Sequence, residues 1–186
     1  VTSIKVAFKL LPRKKIAAEL IKNSTCKVIC PRSTGDELMN IQIEFTGALL
    51  QLPSSNDRVP FRAGRFLTLD WHKEGAARLD AMTQLYTQAL VTEGLPPPTF
   101  GKNPVHIHIV LGHRKGRWDC HNTPKAVCDW LEDIGLIDDD SRAQCWASRA
   151  TWFDLPAEKT VINVSAAYIH RASMRYLLDS IIAPAD

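Results

Sequence analysis

Between residues 117 and 140 the chain sets out an acid, an imidazole, an amide and an amine in close succession, then a run of three acids. The residues are Arg117-Trp118-Asp119-Cys120-His121-Asn122-Thr123-Pro124-Lys125, followed by Asp138-Asp139-Asp140. Asp119 and His121 are two apart, so in an extended segment they point to one face. Asn122 or Thr123 suits an N-cap and Pro124 the first helical turn. The pair thus precedes a helix N-terminus, where backbone amides favour anions such as phosphate. Lys125 and Asp129 are four apart and share a helix face. A helix over Pro124–Ile134 is about 16 Å long, and the extended stretch from Gly135 to Asp140 covers about the same distance. Asp140 can therefore return to the level of Asp119, within one chain or from a partner.

Carboxylates of this kind suit a hard cation such as magnesium, which takes oxygen ligands and keeps several waters. Beside a lysine, they suit metal-assisted phosphodiester hydrolysis: the metal activates water, and the lysine stabilises charge on the leaving oxygen. His121 suits manganese or zinc better than magnesium, or serves as a general acid or base. A purely structural account also fits the spacing, with Asp119 and Asn122 capping the helix and Asp138–Asp140 forming an acidic turn.

The elements that must position these residues are marked by periodicity. Ile41-Gln42-Ile43-Glu44-Phe45 alternates strictly and predicts a half-buried strand. Leu50–Gly64 is a loop by composition, and Arg58, Arg62 and Arg65 in and beside it are candidates for phosphate contact. Phe66–Leu69 reads as a short strand. A helix of about 20 residues follows from Asp70 or His72, with Ala77, Leu79, Met82, Leu85, Tyr86, Ala89 and Leu90 as its apolar stripe. Gly94 and Pro96-Pro97-Pro98 end it. Val105, Ile107, Ile109 and Leu111 alternate with His106, His108 and Val110 as a second clear strand. The basic turn that follows holds His113, Arg114, Lys115 and Arg117. Ala126, Val127, Trp130, Leu131 and Ile134 form the buried stripe of the next helix, which Gly135 stops. Residues 143–153 and 159–167 read as strands and His170–Ile182 as a last helix. This order predicts an α+β (mixed α/β) domain with a single mixed sheet flanked by helices.

The chain of 186 residues has a net charge of +3, and that charge is unevenly spread. Residues 1–38 carry eight basic side chains against three acidic ones, a net of +5, so the remaining 148 residues are net −2. A weak helical pattern at Ile16–Ile21 and an aperiodic Cys26–Thr34 give this front segment little architecture of its own. We therefore expect residues 1–38 to be a basic extension outside a functional domain at 39–186, beginning near Met39. No apolar run is long enough to span a membrane. Five cysteines without framework spacing point to reduced thiols in a cytoplasm. Cys26 and Cys30 lack the second pair or nearby histidines that a zinc site needs.

The segment Asp119-Cys120-His121-Asn122-Thr123-Pro124-Lys125-Ala126-Val127-Cys128-Asp129-Trp130-Leu131, then Gly135-Leu136-Ile137-Asp138-Asp139-Asp140-Ser141, resembles the signature of the RusA family of Holliday-junction resolvases. That signature runs D-x-D-N, two residues of helix entry, K-A-x-x-D-x-L, and an acidic D-D-S at matching distance. The likeness is strong over about 25 residues, extends weakly to 39–89 and excludes 1–38. It implies a homodimeric, magnesium-dependent endonuclease that nicks four-way DNA junctions, placed in a bacterial or phage-infected cell. By resemblance, Asp119 and Asp140 are metal-binding acids, with Asp139 the first acid of the pair, and Lys125 is the catalytic lysine. Asn122 and Asp129 hold the site together. His121 departs from the pattern, which has a second aspartate there. That removes a negative charge and points to an Asp-His-Asp metal set that would take manganese as well as magnesium.

Two other readings use different residues. His106 and His108 share a strand face, and with His113, His121 and Asp119 they could form a zinc- or manganese-dependent hydrolase site. A non-catalytic module binding branched DNA would rely on Arg58, Arg62, Arg65, Arg114, Lys115, Arg117 and Trp118. The slightly negative body is unusual for a pure DNA binder, whereas a nuclease offsets its site carboxylates with bound cations. Trp130 is expected to pack in the core, and Cys128 to act as a small buried apolar residue.

Overall fold

Strict alternation of apolar and polar residues builds the centre of the molecule. A computed structural model describes residues 12–30, 40–49, 52–53, 69–111, 123–141, 144–152 and 159–167. Their elements, in order, are α1 (Arg13–Lys22), β1 (Ser24–Ile29), β2 (Asn40–Gly47), α2 (Leu69–Glu93), β3 (Val105–Leu111), α3 (Thr123–Asp133), β4 (Cys145–Trp152) and β5 (Lys159–Ala166). The five strands form one mixed sheet in the order β1-β2-β5-β3-β4. All neighbours are antiparallel except β3 and β4, which run parallel and are joined through α3. A parallel pair requires a crossover of this length, and α3 provides it. The fold is α+β, as the element order predicts. The expected strand at 66–69 and helix at 170–182 fall almost wholly outside the described residues.

The alternation sorts the sheet into two faces. Ile41, Ile43, Phe45, Val105, Ile107, Ile109, Leu111, Ile162 and Val164 are buried together with apolar residues of all three helices in one cluster. On the other face, Gln42, Glu44, Thr46, His106, His108, Asn163 and Ser165 are half-buried. Trp130 of α3 lies at the centre of the cluster, edge-on to Phe45 at 5.9 Å and to Tyr86 at 5.8 Å. Its indole N–H donates to Thr83 Oγ1 at 3.0 Å, so burial strands no polar group.

Residues 12–30 of the front segment pack as part of this body, although the charge of residues 1–38 suggests an extension outside it. Ile16, Ala17 and Leu20 of α1 and Val28 of β1 are buried in the same cluster. β1 pairs along its length with β2, from Ser24 opposite Gly47 to Ile29 opposite Gln42. Arg13 forms a two-pronged pair with Asp80 of α2, at 2.6 and 2.5 Å. The physical reason is amphipathicity: Lys14, Lys15 and Lys22 are exposed while the apolar residues between them face inward. Burial pushes the Cys26 thiol up to about 12, which keeps it protonated and apolar in character. Met39 lies outside the described residues.

One glycine secures the junction. Gly47 ends β2 with φ +71°, and a Cβ there would lie 2.1 Å from the carbonyl oxygen of Asn23. That carbonyl accepts the backbone N–H of Ala48 at 3.0 Å. Only glycine lets the end of β2 pass so close to the end of α1 in a left-handed conformation.

Candidate active site at the start of α3

α3 begins at Thr123, and its face toward the sheet buries Ala126, Val127, Trp130 and Leu131, the residues its period predicts. Gly135, with φ 72°, turns the chain after the last helical residues. Residues 136–140 then form no regular element and lead back alongside the helix. The hydroxyl of Thr123 is buried without a hydrogen-bond partner, so Thr123 is not the cap. Asn122, the other candidate cap, lies outside the described residues.

Three of the predicted site residues meet. The Lys125 ammonium pairs with Asp129 Oδ1 at 2.7 Å, one helical turn along, and with Oδ2 of Asp140 from the returning loop. Asp129 and Asp140 are mostly buried while Lys125 remains 60% exposed, so the lysine covers the two acids from the solvent side. Hydrogen bonds to Asp129 and then Asp140, reinforced by their charges, raise the Lys125 pKa above its ordinary value. The ammonium therefore stays charged at neutral pH. A fixed cation beside a carboxylate of this kind can steady charge developing on a phosphate.

The acidic loop has internal bonds of its own. Asp139 Oδ1 accepts the backbone N–H of Ser141 at 3.0 Å, which commits one of its oxygens to the turn. Asp140 gives Lys125 one oxygen, Oδ2. Hard cations take carboxylate oxygens of this sort, so Asp140 fits a magnesium or manganese ligand. Among the described residues no group of three or more His, Cys, Asp or Glu side chains is arranged to hold a metal. The proposed ligands Asp119 and His121 lie outside them, as do Arg58, Arg62, Arg65, Arg114, Lys115 and Arg117. His106 and His108 project from the sheet face opposite the buried cluster; the rest of the histidine-rich set, His113, His121 and Asp119, is likewise outside the described residues.

Cys128 of α3 and Cys145 of β4 are neighbours near the acidic loop, and the Cys145 thiol donates to the backbone oxygen of Asp139 at 3.9 Å. The Cys145 thiol is pushed up first by its neighbour Cys128, then by burial and by the charges of Asp140 and Asp139. Cys128 is buried, as its place on the apolar stripe predicts. The residue that the sequence reading missed is Gln144. It is 4% exposed and bonds to the backbone of both the acidic loop and the segment before β3. Nothing in its sequence neighbourhood distinguishes it from a surface glutamine.

Among the described residues no helix is long and apolar enough to cross a membrane. No protein-family model matches the chain, and no curated protein matches it in sequence.

Proposed function

We propose that the protein is a divalent-metal-dependent endodeoxyribonuclease acting on four-way or other branched DNA. The observation that carries this reading is the convergence of Lys125, Asp129 and Asp140, three separated residues of the junction-resolvase pattern, near the start of one helix. Asp140 would hold magnesium or manganese together with Asp119 and His121, with Asp139 beside them. When bound, the metal supplies an activated water and offsets charge at phosphorus. Lys125 donates to a phosphate oxygen and stabilises the transition state. Asp129 keeps that ammonium charged and aimed. Arg58, Arg62, Arg65, Arg114, Lys115 and Arg117 would hold the DNA backbone, and a homodimer would present two such sites to the two strands of a junction.

The test is cleavage of a synthetic four-way junction and of a linear duplex, in magnesium and in manganese. The wild-type chain should nick the junction in preference to the duplex, and Asp119→Asn and Asp140→Asn should each reduce cutting by at least about 100-fold. His121→Asp should preserve or increase magnesium-dependent cutting if the histidine is a metal ligand. Junction binding without cleavage, or cleavage indifferent to Asp119→Asn, refutes the proposal.

A further inference from the structure

The Asp138–Asp140 loop carries a site residue yet has no helix or strand to hold it. What it has is Gln144. The Gln144 Oε1 accepts two consecutive backbone N–H groups, from Asp138 at 3.0 Å and Asp139 at 2.7 Å. Its Nε2 donates to the carbonyl oxygens of Gly101 and Asn103, the latter at 3.2 Å. A carboxamide has two acceptor lone pairs and two donor hydrogens, and all four are used here. The backbone of Gln144 is tied in as well: its carbonyl accepts from Val105 N–H at 2.8 Å, and its N–H donates to Ser141 O at 3.1 Å. A further bond, Phe100 N–H to Leu136 O at 2.8 Å, joins the same two segments.

We infer that Gln144 is the positioning residue of the site, clamping the acidic loop to the segment before β3 so that Asp140 meets Lys125. The choice of side chain follows from the four partners. A carboxylate would face two carbonyl oxygens without donors and add charge beside three acids. An apolar side chain would leave two N–H and two C=O groups without partners, each costing about 1–3 kcal/mol where buried. Asparagine carries the same amide on a stem shorter by one methylene and cannot span both segments. Asp138 and Asp139 carry the two clamped amides and Asp140 directly follows them, so the Asp139 and Asp140 carboxylates inherit the orientation of that backbone.

The inference rests on the proposed role of Lys125 and Asp140, but its test needs no DNA. In the wild-type full-length chain, the amide hydrogens of Asp138 and Asp139 should exchange slowly although both side chains are exposed. Exchange of both at the rate of an open loop would overturn the clamp without any variant being made. The second readout is acetylation of Lys125 by a small amine-reactive ester, measured by mass spectrometry against Lys159 of the same chain. Loosening Asp140 takes one of its two carboxylate partners off the Lys125 amine and opens that amine to reagent. Gln144→Met and Gln144→Asn should therefore raise Lys125 acetylation toward the level of Asp140→Asn, with Lys159 unchanged. Folded variants that acetylate at the wild-type rate, while Asp140→Asn acetylates faster, would overturn the inference. A protein that cuts no DNA would instead refute the nuclease proposal and leave the clamp standing.

Discussion

Leu20 is the sharpest test of whether the front segment belongs to the fold. It lies in α1, is 1% exposed, and packs in the same buried cluster as β2 and α2. Replacing such a leucine with alanine removes its transfer free energy and leaves a cavity, together costing about 2–5 kcal/mol. A domain of ordinary stability has about 5–15 kcal/mol in total, so the change is a large fraction of it. For a chain of this size each kcal/mol moves Tm by about 2–4 °C, giving a fall of roughly 4–20 °C. Urea unfolding followed by tryptophan fluorescence should show a lower midpoint with an unchanged slope. Lys15→Ala, on the exposed side of the same helix, is the control and should shift stability by less than about 0.5 kcal/mol. A 39–186 fragment should lose cooperative unfolding, since it lacks Ile16, Leu20 and Val28 and leaves the outer edge of β2 unpaired. If Leu20→Ala melts with the wild type, or the fragment does, α1 and β1 are an appendage and the packing argument is wrong.

Gly47→Ala should cost more than about 1 kcal/mol in the same urea titration, because a left-handed φ is strained for alanine and its Cβ would meet Asn23 O; a neutral result would mean the close approach does not exist. Burial works to raise the Glu44 carboxyl, but hydrogen bonds from Lys159 and Gln42 and the charges of Lys159 and Lys27 outweigh it and lower its pKa. Its contribution, about 1 kcal/mol for a partly buried pair, is therefore present above the unfolded-state pKa and lost as pH falls through the folded one. Glu44→Gln should be less stable than wild type near neutral pH, and the two should converge under acid; a constant difference would refute the linkage. Lys125→Met should change stability by less than about 1 kcal/mol, since the ammonium is exposed, yet reduce junction cleavage about 10²–10³-fold. Equal losses of folding and cutting would make Lys125 a structural residue.

What could be read from the sequence divides by how local its cause is. The strand at Asn40–Gly47, the stripe of α2, the alternation of β3 and the buried face of α3 each follow from a period within one segment. The meeting of Lys125 with Asp129 follows from helical spacing, and that with Asp140 from the reach of a chain returning along the helix. α1 and β1 were obscured because net charge reports only what lies at the surface: the lysines of α1 are solvated above Ile16, Ala17 and Leu20. In β1 the inward positions are Cys26 and Val28, too short a run to stand out beside Pro31. Gln144 has no local signature because the carbonyls that accept from its Nε2, those of Gly101 and Asn103, lie more than 40 residues away.

The place of β5 in the sheet governs the order in which the molecule can be assembled. It is the last described strand in the chain, yet it occupies the middle position, between β2 and β3. The Lys159–Glu44 bond across the β2–β5 pairing closes a separation of 115 residues. During synthesis β1 and β2 can pair early, and β3, α3 and β4 can form a second unit, but neither has its inner edge covered until β5 emerges. Long-range pairing of this kind slows folding and leaves strand edges open meanwhile. The two half-sheets must therefore wait for the same late strand, which inserts between them and joins them into one core.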